Sequence, residues 1–173
     1  MMPVIRGEPT TSILTPELRE SLLRKLASEH AGPGTADGPL IFEIPLQQSD
    51  RIDVLVVWKE FEDLRSEDRT ELILDAYNEQ RDKISLAMGV TYQEAIGQQL
   101  LPYTVIPMTR RGGGVDPAEL RKAMLDEGGI RLSDEKVDLR FPTMAMAEAA
   151  HRRLIERLPG VYWSIVEGVA STP

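Results

Sequence analysis

Six acidic side chains fall within one short stretch, Glu60, Glu62, Asp63, Glu67, Asp68 and Glu71, interleaved with Lys59, Arg65 and Arg69. Carboxylates this dense can form a proton-sharing pair for acid–base work or a set of hard oxygen ligands for Mg²⁺. Neither chemistry is complete here, because no nucleophile, histidine or glycine cradle accompanies them. The same residues suit a solvated loop running into a helix N-terminus, where the helix dipole favours negative charge. We read them as a candidate interaction surface and assign no catalytic residue, metal ligand or cofactor.

A second candidate is Arg110, Arg111, Gly112, Gly113 and Gly114. Glycine amides beside two arginines and a following helix could cradle an anion. Against that, Asp116 would cap the same helix end with its own carboxylate, and the spacing matches neither a P-loop nor a dinucleotide-binding turn. Three consecutive glycines fit a linker, and the anion loop is the weaker reading. A third candidate is His151 with Glu148 and Glu156, but one imidazole among Arg152, Arg153 and Arg157 reads as an ion-paired helix surface.

The balance of charge narrows the partners. The chain of 173 residues carries a formal charge of -8, with 12 Lys+Arg against 18 Asp+Glu through Val115 and 8 against 10 beyond it. Neither half has the positive field that nucleic acid or an anionic membrane demands. A protein partner is expected, with no nucleic acid and no membrane. The absence of cysteine removes disulfides, thiolate nucleophiles and thiolate metal sites. No apolar run approaches a membrane span, and the expected compartment is the cytoplasm.

The elements that must position these residues are organised around Val54 to Tyr77. Val54 to Trp58 reads as a central strand apolar on both faces, with Ile52, Val54, Val56 and Trp58 on one side and Leu55 and Val57 on the other. Leu40, Phe42, Ile44 and Leu46 alternate as its hairpin partner, and Pro45 marks that partner as an edge strand. Thr15-Pro16-Glu17 opens a helix to about Glu29. Ser66 is expected to cap a long helix whose stripe, Leu72, Ile73, Ala76, Tyr77, Ile84 and Ala87, runs to a glycine cap at Gly89. Thr91 and Glu94 form a capping box for a short helix. Tyr103 to Ile106 is then a strand expected parallel to Val54–Trp58.

Beyond the glycines, Asp116-Pro117 opens another helix, Ile130–Leu132 and Val137–Phe141 form a hairpin, Thr143 caps a helix carrying Ala147, Ala150, Leu154, Ile155 and Leu158 inward, and Val161–Val166 is the last strand. The fold class is α+β, built as two small αββαβ units, each a three-stranded mixed sheet packed by helices. The expected division is a flexible lead at 1–14, a first unit at 15–109, a Gly-rich linker at 110–115 and a smaller second unit at 116–173.

Val56-Val57-Trp58, then Phe61, Asp63 and Arg69 at the following spacings, give the first unit a resemblance to the BolA family over about residues 15–108. That resemblance implies a variant class II KH topology of helix, strand, strand, helix, helix, strand, and a partnership with monothiol glutaredoxins through an Fe–S cluster. The family's histidine ligand corresponds to Thr70, its usual glycine to Asp63, and the loop that often supplies a second ligand, Gln47 to Asp50, holds neither His nor Cys. The fold carries over and no ligand does. A Gly-x-x-Gly clamp of the kind KH modules use on nucleic acid is also missing.

The function expected from these residues is a non-enzymatic intracellular interaction or adaptor protein. The alternatives are a small-molecule-binding or enzymatic domain with an acidic pocket between the units, drawing on Asp53, Glu60 or Asp63, and KH-like nucleic-acid binding.

Overall fold

The computed structural model describes residues 15–31, 38–108 and 114–168. Its first sheet is the expected hairpin plus a parallel neighbour. Strand β1 (Leu40–Pro45) pairs antiparallel with β2 (Ile52–Val57), Phe42 opposite Leu55, and β2 pairs in parallel with β3 (Ile84–Val90), Val56 opposite Gly89. The order β1-β2-β3 puts β1 at an edge, where Pro45 removes a donor the sheet does not need.

Two helices cover one face. Thr15 caps α1 (Pro16–Ala31) through its hydroxyl, which accepts from the Leu18 amide at 3.2 Å. Leu22 and Leu26 of α1 meet Leu72 and Ile73 of α2 (Ser66–Tyr77) over Val54, Val56 and Trp58. Ser66 is the first residue of α2 and makes no cap; Arg65 occupies the cap position in extended backbone, and its side chain caps no helix amide.

Helix α2 is shorter than its apolar stripe suggests. Asn78, at φ 50° and ψ -110°, ends it, and residues 78–83, all polar, form a 3-10 turn. Ile84 and Ala87, read as helix from their spacing, are buried in β3 instead. Gly89 is accordingly no helix cap. A Cβ there would lie 2.9 Å from both Arg69 Cβ and Phe61 Cε2, so glycine is required by close approach.

Because β3 takes the place beside β2, the next strand goes elsewhere. Thr91 caps the short α3 (Tyr92–Gly97), its hydroxyl accepting from the Glu94 amide. Strand β4 (Tyr103–Met108), expected parallel to β2 in the first unit, is the centre of a second sheet ordered β7-β4-β8. Its neighbours, β7 (Arg140–Phe141) and β8 (Tyr162–Glu167), are both antiparallel to it, so this sheet is antiparallel and not mixed. The boundary expected at 110–115 thus falls after a strand that already belongs to the second sheet.

Helices α4 (Pro117–Asp126) and α5 (Met144–Arg157) pack with it, capped by Asp116 and Thr143 as their sequences imply. The expected hairpin survives as the short pair β5 (Ile130–Arg131) and β6 (Val137–Asp138), after which the chain crosses to β4 as β7. Ala147, Ala150, Leu154 and Leu158 face inward, whereas Ile155 is exposed.

Both sheets share one core. Phe42, Leu55, Val57 and Val90 on the second face of the first sheet pack with Val105, Leu139, Leu154 and Trp163. Phe42 and Phe141 meet edge to face, with ring centroids 6.2 Å apart. The central strand is therefore covered on both sides, as its apolar pattern requires.

Candidate functional site

Three features stand out, beginning with the acidic run. Glu60 lies on the 3-10 turn Lys59–Phe61 and pairs with Lys25 at 3.6 Å; Asp68 pairs with Arg65 at 3.2 Å. Glu62, Asp63, Glu67 and Glu71 are exposed. The residue they surround is Arg69, only 6% exposed and read from sequence as one of the interleaved cations.

Arg69 is a structural clamp. Its Nε donates to the Leu64 carbonyl at 2.9 Å, and its Nη atoms donate to the Gly89 carbonyl at 3.2 Å, the Glu62 carbonyl at 3.5 Å and both oxygens of Glu94 at 2.6 and 3.2 Å. The guanidinium also lies 5.8 Å from the centre of the Phe61 ring. The hydrogen bond from Arg69 holds the Glu94 carboxyl below the ordinary glutamate value, against the opposing effect of burial.

Thr70 donates from its hydroxyl to the Ala87 carbonyl at 3.0 Å. The Val90 carbonyl accepts from the Trp58 amide and so faces β2. Strand alternation then turns the Ala87 and Gly89 carbonyls to the outer edge, where Thr70 and Arg69 take them. Two consecutive residues of α2 close a sheet edge that would otherwise invite another strand.

Asp53 sits half-buried in β2 between Ile44 and Leu86. None of Asp53, Glu60 and Asp63 lines the cleft beside β4. Burial, and then the bond to Glu43, raises the Tyr77 hydroxyl well above its ordinary value. His151 engages the Trp163 carbonyl through Nε2 at 2.9 Å, holding α5 to the edge strand β8. Arg110, Arg111, Gly112 and Gly113 lie outside the described residues; Gly114 is exposed in open space.

The second feature is a sheet face. Strands β4 and β8 present Ile106, Met108, Tyr162 and Val166 outward, away from the shared core, with Ser164 opposite Ile106 and Thr104 opposite Val166. Tyr162 is 72% exposed and Met108, directly opposite it, 54%.

The third is a cleft of about 310 Å³ between β4 and the segment Lys136 to Arg140. Ile106, Val137 and Val166 supply apolar walls; Thr104, Lys136, Asp138 and Arg140 supply polar ones. Arg140 Nε donates to Asp138 Oδ2 at 2.7 Å, and the same Asp138 oxygen accepts from the Tyr92 hydroxyl. Burial, then Asp138, pushes the Tyr92 hydroxyl well above its ordinary value. Sequence reasoning missed this cleft because its two walls are joined only by the β4–β7 pairing.

No family model, curated protein or solved structure matches this chain. No helix among the described residues is long and apolar enough to cross a membrane.

Proposed function

We propose that this is a non-enzymatic cytoplasmic interaction protein that binds a protein partner through the outward face of the β4–β8 sheet. The observation carrying the reading is the row of Met108, Tyr162, Ile106 and Val166 exposed on one side of two paired strands. An exposed sheet face carrying a tyrosine and a methionine beside two aliphatic residues has the composition of an interface centre. The fitting partner has an apolar patch and a net positive charge, since the chain carries -8. Opposite charge on the two surfaces would speed encounter and make its rate fall with salt.

The resemblance of the first unit to the BolA family remains part of this proposal as a fold reading. The parallel β2–β3 pair beside the β1–β2 hairpin supports it. In this chain the third strand follows one helix, whereas the resemblance implied two.

A photoreactive side chain at position 162 tests the reading in the producing cells. The crosslinked protein, once identified and purified, should bind the chain saturably and lose about tenfold or more in affinity on Met108→Glu. Crosslinks only between two copies of this chain, or an identified protein indifferent to Met108→Glu, would defeat the proposal.

A further inference from the structure

We propose that the cleft between β4 and Lys136–Arg140 binds a small carboxylate carried on an apolar body. The site adjoins the interaction face and shares Ile106 and Val166 with it, while Met108 and Tyr162 lie outside it. At about 310 Å³ it stands at the small end of the range for ligand pockets, and a few convergent polar groups in an apolar surround is their usual make-up.

Arg140 determines the class of ligand. Its side chain is 19% exposed, so the guanidinium is largely withdrawn from water, and Asp138 holds it by one N–H through Nε. A guanidinium carries five N–H donors in a rigid fork. Asp138 and Tyr92 therefore fix the fork in place while donors remain to receive an anion. A carboxylate matches the fork's planar geometry and gains charge-assisted hydrogen bonds.

The neighbouring groups set charge and shape. Lys136 stands exposed on the rim, and Thr104 lies directly across the strand pair from Arg140, where its hydroxyl can donate to a second oxygen. Lys136 and Arg140 against Asp138 leave the cleft one positive charge in a molecule of -8. A single positive charge suits a monoanion better than a phosphate dianion. A metal cation is disfavoured, because Asp138 already accepts from Arg140 and Tyr92. Ile106, Val137 and Val166 reward an apolar body behind the carboxylate.

Two-dimensional amide NMR of the ¹⁵N-labelled protein provides the test, with octanoate and octan-1-ol as matched probes. Octanoate should shift Thr104, Ile106 and Lys136 to Arg140 saturably, and octanol should bind about tenfold or more weakly, since hydrogen bonds to a charged group are lost. Lys136→Glu should weaken octanoate several-fold with an unchanged melting temperature, and Thr104→Val should weaken it less. Met108→Glu should leave octanoate binding intact, which separates this site from the interaction face. N-acetyl-Leu-Phe with a free carboxylate, beside its amide, identifies the source: tighter binding of the peptide acid than of octanoate makes the natural ligand a chain terminus, and the reverse makes it a free acid. Equal binding of octanol and octanoate, or shifts centred on Met108 and Tyr162, would overturn the assignment.

Discussion

Arg69 grips both oxygens of Glu94, at 2.6 and 3.2 Å, and so ties the first turn of α2 to the start of α3 across the outer edge of β3. The arginine is buried and the glutamate side chain is 35% exposed. Glu94→Gln leaves a buried cation short of its countercharge, with three backbone carbonyls still accepting from it. With the exposed side screened by solvent, the expected cost is about 1–3 kcal/mol, read as a lower urea midpoint. An unchanged midpoint would show that the carbonyls alone satisfy Arg69.

The same pair gives stability a pH dependence of definite sign. The folded state holds the Glu94 carboxyl below its ordinary value of 4.5. Its contribution is therefore complete above that value and is lost as pH falls from there through the folded value. Comparing wild type with Glu94→Gln across this range, the gap in unfolding free energy should shrink as the solution is acidified. A gap that widens below pH 4.5 would contradict the Arg69–Glu94 linkage.

Four helix caps were legible because Thr15, Thr91, Asp116 and Thr143 each carry their chemistry locally and accept the expected amide, whereas the expected Ser66 cap of α2 does not form. The two-sided apolar run of β2 was legible for the same reason. Strand β3 was not, since Ile84 stands seven residues after Tyr77 and prolongs a helical stripe by coincidence. The signal against helix was the intervening run 78–83, which has no apolar member. Once β3 filled the place beside β2, β4 had to pair elsewhere. The candidate cleft depends on that pairing, so no local pattern could have announced Arg140.

Gly89 offers a sharp test of the β3 assignment. Alanine would set a methyl 2.9 Å from Arg69 Cβ and from the buried Phe61 ring, neither of which is the free end of a flexible chain. The expected destabilisation is about 1–3 kcal/mol, as for overpacking elsewhere. At a helix cap, by contrast, alanine would act through a strained positive φ, and a loss of that kind would be relieved by asparagine. Gly89→Asn should here be worse than Gly89→Ala, and a milder asparagine variant would refute the packing account.

Oligonucleotides should bind feebly. The exposed acids of the run Glu60 to Glu71 offer no counterion release on meeting phosphate. Fluorescence anisotropy with labelled single-stranded RNA and DNA should give dissociation constants weaker than about 10⁻⁴ M at physiological salt. Saturable micromolar binding that weakens with salt would favour the KH-like alternative.

The shared core predicts one cooperative unfolding transition. Phe42, Leu55, Val57 and Val90 of the first sheet are buried by side chains of the second, and β4 reaches the second sheet from the N-terminal side of the glycines. Expressed alone, residues 1–108 would keep β4 without its partners β7 and β8, while residues 109–173 would lack the strand between them. Each half would also expose its side of the Phe42–Phe141 contact. Neither should give a sigmoidal melt by itself, and mixing them should restore native-like near-ultraviolet circular dichroism. The intact chain should melt in one step, with calorimetric and van't Hoff enthalpies equal. Two resolved transitions, or a folded 1–108 fragment, would mean that the two sheets are energetically independent despite their common core.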